Sequence, residues 1–117
     1  MYNRNRYTID NTIFKIAIYI RLSREDGDDL ESESVTNQRS LLIGYLKAQG
    51  LVAVDIYVDD GYTGTNFERP EFKRMLQDIE NKKINMVITK DLSRLGRDHI
   101  MTGYYVETFF PENDVRY

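Results

Sequence analysis

A mostly parallel α/β sheet with helices packed on both faces is the fold class these 117 residues predict, on three observations. Short β-branched apolar runs alternate along the chain with stretches whose apolar residues recur at helical spacing. The first run, Phe14 to Ile20, is short, apolar and β-branched, which suits a strand covered on both faces. The segments between them are long enough for the helical crossovers that parallel strands require.

Residues 1–13 form a polar leader, read as irregular. Phe14 to Ile20 is the first strand, followed by an acidic loop from Arg21 to Glu33. Ser34 stands where it can cap a helix whose residues Val35, Leu42, Tyr45 and Leu46 share one face, and Gly50 ends it. Val52 to Val58 is the second strand, and Asp59 to Arg69 is a loop containing Gly61 and Gly64. Pro70 suits a first helical position, after which Phe72, Met75, Leu76 and Ile79 form an amphipathic stripe. Ile84 to Ile88 is the third strand and Thr89 to Asp98 a polar connection. The last helix runs from about Asp98 to Phe110, where Pro111 halts it, and Val115 to Tyr117 reads as a fourth strand just beginning. The order β-α-β-α-β-α-β implies one three-layer α/β/α domain over residues 14–117, with four to five strands when complete. A chain that ends as a strand starts reads as a C-terminally truncated domain.

Composition narrows the chemistry. With 41% hydrophobic and 30% charged residues, the chain can bury a single core. Cysteine is absent, which removes disulfides, thiolate metal sites and thiol nucleophiles. One histidine, His99, leaves neither a histidine metal site nor a Ser-His-Asp triad. No apolar run is long enough to span a bilayer and the N-terminus lacks a secretory pattern, so a cytoplasmic protein without membrane contact is expected. The net charge of −3 argues against broad binding of a polyanion by this segment alone, but leaves room for a local basic pocket.

In an open parallel sheet, ligands sit beyond the carboxyl ends of the strands. Three segments leave those ends here: Arg21 to Ser23, Asp59 to Arg69 and Thr89 to Arg97. They bring Ser23, Arg21, Asp60, Arg69, Arg94 and Arg97 to one edge. Guanidinium groups suit a phosphoryl group, because the planar fork donates paired hydrogen bonds and keeps its charge. A serine hydroxyl is a weak nucleophile without help, and with no histidine or metal cluster in view that help falls to the arginines. The expected chemistry is phosphoryl transfer to Ser23 with no metal or cofactor.

The same residues carry a family resemblance. Tyr19-Ile-Arg21-Leu-Ser23 resembles the tyrosine-x-arginine-x-serine signature of the serine recombinases, the resolvase and invertase family. Asp60 with Gly61 to Gly64 and then Arg69-Pro70 resembles the family's second motif, and Ser93-Arg94-Leu-Gly-Arg97-Asp98 its third. Gln38 falls where the family carries a glutamine near the nucleophile. The acidic insertion between Ser23 and Ser34, with the form of Lys90 to Arg97, is most similar to the large serine recombinases and transposases of mobile elements.

The resemblance, over about residues 14–117, implies a resolvase-like catalytic domain of flavodoxin-like order and a site-specific DNA recombinase. It implies that Ser23 forms a 5′-phosphoseryl DNA intermediate and releases a 3′ hydroxyl, before strand exchange and religation. Arg21, Arg69, Arg94 and Arg97 would hold the DNA phosphate, while Asp60 and Gln38 would orient neighbours or relay protons. The implied partners are double-stranded DNA attachment sites, a homodimer and then a synaptic homotetramer. The resemblance leads us to expect the family's later helix and a DNA-binding domain outside this segment, and a piece that folds without recombining DNA. The sequence departs at one position: small resolvases carry aspartate immediately before the arginine matching Arg94, where this chain has Ser93, with Asp91 two residues earlier.

Two other functions fit parts of the pattern. Asp59, Asp60, Thr89 and Lys90 loosely suit a phosphate-responsive receiver-type signalling domain, although Arg21 and Ser23 stand where its acidic pair belongs. An oligomerisation module would leave the arginines as surface charge. Singly, the residues have plainer readings: Ser23 as a cap, Asp59 as part of a turn, Gln38 as a surface helix residue. Arg69 at a helix start opposes the helix dipole and needs some partner, for which phosphate would serve.

Overall fold

The computed structural model describes residues 8–9, 12–23 and 34–117. The expectations for the rest of the leader and for residues 24–33 of the acidic loop lie outside the described residues. In chain order the elements are β1 (Thr8–Ile9), β2 (Thr12–Ile13), β3 (Ile16–Leu22), α1 (Val35–Ala48), β4 (Ala53–Asp60), α2 (Pro70–Glu80) and β5 (Met86–Ile88). A single turn α3 (Leu92–Leu95) follows, and then a last helix made of α4 (His99–Tyr104), a π-helical segment (Tyr105–Phe109) and α5 (Phe110–Glu112).

β3 is the centre of a three-stranded sheet of order β4-β3-β5 and runs parallel to both neighbours. Its residues Ile16 to Ile20 are fully buried, as an apolar run covered on both faces must be. Strand alternation sorts them into two cores. Ile16, Ile18 and Ile20 pack with Leu42 and Leu46 of α1. Ala17 and Tyr19 point the other way, into Phe72, Met75 and Ile79 of α2 with Leu95 and Phe110. The result is the expected three-layer arrangement. The fourth strand is present as one parallel bridge between Met86 and Arg116 beside β5, with Val87 N donating to Arg116 O at 2.8 Å.

Local signals account for most boundaries. Asn37 N donates to Ser34 Oγ at 3.1 Å, which caps α1, and Gly50 follows the helix at φ 75°. Four details differ from expectation. The leader is less irregular, because β1 and β2 pair antiparallel. Tyr45 is 55% exposed, since the inward stripe of α1 runs through Gln38, Leu42 and Leu46, four residues apart, and Tyr45 sits one residue off it. The connection after β5 holds the turn α3. Pro111 does not halt the last helix at Phe110; it occupies the first turn of α5, where a missing N–H is tolerated.

Candidate active site

Ser23 directly follows β3 and is buried. The peptide two residues before it is clamped from both layers: Arg21 O accepts from Gln38 Nε2 on α1 at 3.1 Å and from Arg94 Nη1 on α3 at 3.0 Å. Gln38 is therefore a buried polar residue with a defined task, not a surface one. The Arg21 guanidinium lies on the opposite side from α1 and donates to the carbonyls of Arg94 at 3.3 Å, Tyr62 at 3.2 Å and Ser93. One side chain thus ties the loops after β3, β4 and β5 together. Gly64 makes room for it, because a Cβ there would lie 2.7 Å from Arg21 Nη2.

A second buried network adjoins the first. Tyr19 Oη donates to Asp59 Oδ2 at 2.8 Å and accepts from Arg69 Nη1 at 2.8 Å. Arg69 also donates through Nη2 to Leu95 O at 2.6 Å and through Nε to Asn66 O at 3.0 Å. Its guanidinium carbon stands 4.4 Å from the Phe67 ring centre and 4.9 Å from that of Phe72. Asp59 accepts from the amides of Glu71 at 3.0 Å and Phe72 at 2.9 Å, which caps α2 from across the loop. Burial pushes the Tyr19 phenol well above its ordinary value; Arg69 opposes that shift and Asp59 reinforces it.

Asp59 is accordingly no turn residue, and it corrects that plainer reading. The sequence held a signal for it: α2 begins at Arg69-Pro70 with a basic residue at the cap and no polar side chain to accept its first amides. Those amides, and the charge on Arg69, call for an acceptor from elsewhere, and Asp59 serves the amides directly and Arg69 through the Tyr19 hydroxyl. Tyr19 opens the tyrosine-x-arginine-x-serine signature, but its place in an apolar run reads as core, and its bonds to Asp59 and Arg69 come only from the fold.

The remaining expected residues stand at the same edge. Asp60 is exposed and lies opposite Leu22 in the β3–β4 register. Arg97 is exposed, with its amide donating to Gly64 O at 2.7 Å. Arg94 is buried and close to the Ser23 loop through Arg21 O. The strand ends therefore join Ser23, Arg21, Gln38 and Arg94 in one frame, with Asp60 and Arg97 at its rim. Arg69 lies within the α2 layer, linked to the same α3 turn through Leu95 O. Such an array can hold a serine in fixed backbone geometry beside permanent positive charge. Among the described residues, no group of three or more histidine, aspartate or glutamate side chains is placed to hold a metal ion, and no helix is long and apolar enough to cross a membrane.

Comparison with known proteins agrees with this architecture. The N-terminal catalytic domain of TP901-1 integrase superposes with a TM-score of 0.77 at 36% identity, over 86% of this chain and 72% of that one. A putative DNA recombinase of Bacillus subtilis (strain 168) is 35% identical over 82 residues, which are 70% of this chain but 16% of that protein. An uncharacterized immunity region protein of Bacillus phage phi105 is 32% identical over 71 residues, 61% of this chain and 85% of that protein. The family model for the resolvase N-terminal domain matches residues 16–116, and the chain belongs to that family.

Proposed function

We propose that this domain is the catalytic part of a site-specific DNA recombinase, with Ser23 as the nucleophile. The Ser23 oxygen forms a new bond to the scissile phosphorus, the bond to the 3′ oxygen breaks, and the hydroxyl proton ends on that leaving oxygen. The product is a 5′-phosphoseryl link and a free 3′ hydroxyl, and reversal with an exchanged 3′ end completes recombination. Because the covalent link conserves the phosphodiester's energy, no nucleotide is consumed. Double-stranded attachment sites, and a dimer that pairs into a tetramer, are the partners this reaction requires.

One observation carries the reading: a strand-end serine sits where a buried glutamine and three strand-end loops fix the backbone beside guanidinium groups. Arg94 and Arg97 are the phosphate ligands this arrangement favours. Arg21 and Arg69 add positive charge behind them, their guanidinium groups oriented by protein acceptors as that of Arg94 is. Gln38 holds the strand end, and Asp60 orients the rim.

The test uses the protein expressed from its full reading frame, incubated with end-labelled duplex fragments covering the region around its own gene. Detergent-stable protein–DNA adducts are expected, with a nucleotide 5′-phosphate on the Ser23 peptide after nuclease digestion. Adducts that persist in Ser23→Ala would overturn the proposal.

A further inference from the structure

The first turn of α3 contains a chain of polar contacts that the reaction above does not use. Ser93 Oγ donates to Asp91 Oδ1 at 2.5 Å, and the same oxygen lies 3.3 Å from Arg94 Nη2 and 3.4 Å from Arg94 Nε, both donors. Asp91 Oδ1 itself is 3.7 Å from Arg94 Nε. The far end of the Arg94 guanidinium is fixed by Nη1 on Arg21 O at 3.0 Å. Asp91 precedes α3 in the capping position, and its carboxylate turns to the Ser93 hydroxyl. Its carbonyl is held in place by Thr89 Oγ1 at 2.8 Å and Arg94 N at 3.1 Å.

A hydroxyl has one proton to donate and lone pairs to accept with. While Asp91 takes the Ser93 proton, the lone pairs of Ser93 must face Arg94. If the carboxylate is lost, the hydroxyl can rotate and donate elsewhere, and one edge of the guanidinium loses its fixed acceptor. Arg94 is only 5% exposed at its side chain and Asp91 is 49% exposed, so the carboxylate meets solvent while the arginine is set within the protein.

We propose that Asp91 is a positioning residue that sets the plane of the Arg94 guanidinium through the Ser93 hydroxyl, a carboxylate–hydroxyl–guanidinium relay aimed at the phosphate beside Ser23. The proposal rests on the recombinase reading for its catalytic consequence, but the relay is a property of the chain itself. Among the described residues, Lys90, Arg94 and the Tyr117 phenol are the charged or titratable groups around Asp91. Burial raises the Asp91 carboxyl, yet the Ser93 hydrogen bond, the Arg94 charge, a backbone hydrogen bond from Arg94 and the Lys90 charge together outweigh it and hold it below the usual carboxylate range. The relay is therefore intact at neutral pH and opens only as the medium becomes acidic.

Two measurements test it. In the 15N-labelled chain, the Arg94 Nε–Hε resonance is followed as pH falls through the carboxylate range, in wild type, Asp91→Asn, Ser93→Ala and Ser93→Thr. The resonance is expected to track Asp91 protonation fully in wild type and Ser93→Thr, to lose that dependence in Asp91→Asn, and to keep in Ser93→Ala only the smaller part that the direct 3.7 Å ion pair carries, so an undiminished dependence in Ser93→Ala also overturns the relay. Blindness of the wild-type resonance to Asp91 overturns the relay, whatever the protein's function. In the adduct assay, Asp91→Asn and Ser93→Ala are each expected to lower the rate about tenfold, as misplacing a binding group does. The double variant should be no slower than the slower single one, because groups acting as a unit are not additive. Ser93→Thr, which keeps the hydroxyl, should restore the rate and with it the acid limb of the pH profile that Asp91→Asn flattens. Unchanged rates in both singles, alongside a dead Ser23→Ala, would remove the relay from the chemistry and leave the recombinase reading standing. Adducts surviving in Ser23→Ala would sink that reading, and the resonance measurement would still decide the relay.

Discussion

Tyr19→Phe removes a single oxygen and should destabilise the chain far more than a loss of that size normally does. The hydroxyl joins a buried carboxylate to a buried guanidinium, at 2.8 Å to each. Hydrogen bonds to charged groups contribute about 1.5–3 kcal/mol apiece. Asp59 keeps its two amide donors and Arg69 keeps its two carbonyl acceptors, so the expected cost is about 3 kcal/mol, toward the lower end for two such bonds. The ring and its edge contact with Phe72 at 5.6 Å remain, so apolar packing is nearly unchanged. Against a total stability of about 5–15 kcal/mol the effect is large. At about 2.1 cal/mol/K per residue, it corresponds to a fall in Tm of roughly 12 °C. Urea unfolding followed by circular dichroism measures it, with Tyr57→Phe as the comparison. The Tyr57 hydroxyl donates to Asp78 at 2.6 Å, a carboxylate that is partly exposed, so its removal should cost about 1 kcal/mol. A Tyr19→Phe loss no greater than that of Tyr57→Phe would refute the view that Tyr19 bridges the two charges.

Stability should also decline in alkali. Because the folded-state pKa of Tyr19 lies above its ordinary value of 10.0, the unfolded chain releases the phenolic proton first. The stabilisation is complete below about pH 10 and falls above it by about 1.4 kcal/mol per pH unit, a slope that Tyr19→Phe should reduce and that urea titrations from pH 8 to 11 would show. Gly96→Ala places a Cβ against the Phe67 ring edge and 2.7 Å from Thr102 Oγ1, so a loss of about 2 kcal/mol is expected, measurable by thermal unfolding, and a neutral result would mean this contact relaxes freely. Ser34→Ala removes the acceptor of Asn37 N and should cost about 1 kcal/mol, with Ser34→Asp restoring it.

The strands β3, β4 and β5, the helices α1 and α2, the last helix and their order were legible in the sequence because each depends on local periodicity, whereas the short β1, β2 and α3 were not. β3 could be read from five consecutive apolar residues, and α1 from a serine followed by a helical stripe. The convergence of Ser23, Arg21, Asp60, Arg94 and Arg97 was legible too, since a parallel sheet sends every strand's carboxyl end to one edge. The family signature lies in those same loops. The tertiary structure alone decided what each charged group faces. Arg69 meets Tyr19 across 50 positions of chain and Arg21 meets the Ser93 and Arg94 carbonyls across 72 and 73, and no spacing rule reaches that far. A buried guanidinium must take whatever acceptors the packed neighbours offer, so Arg21 and Arg69 became struts of the frame while Arg97 stayed at the rim. Asp59 and Gln38 show the same dependence: each is polar by sequence and buried by fold, tolerated only because amides, a phenol or a carbonyl arrive from other elements to bond them.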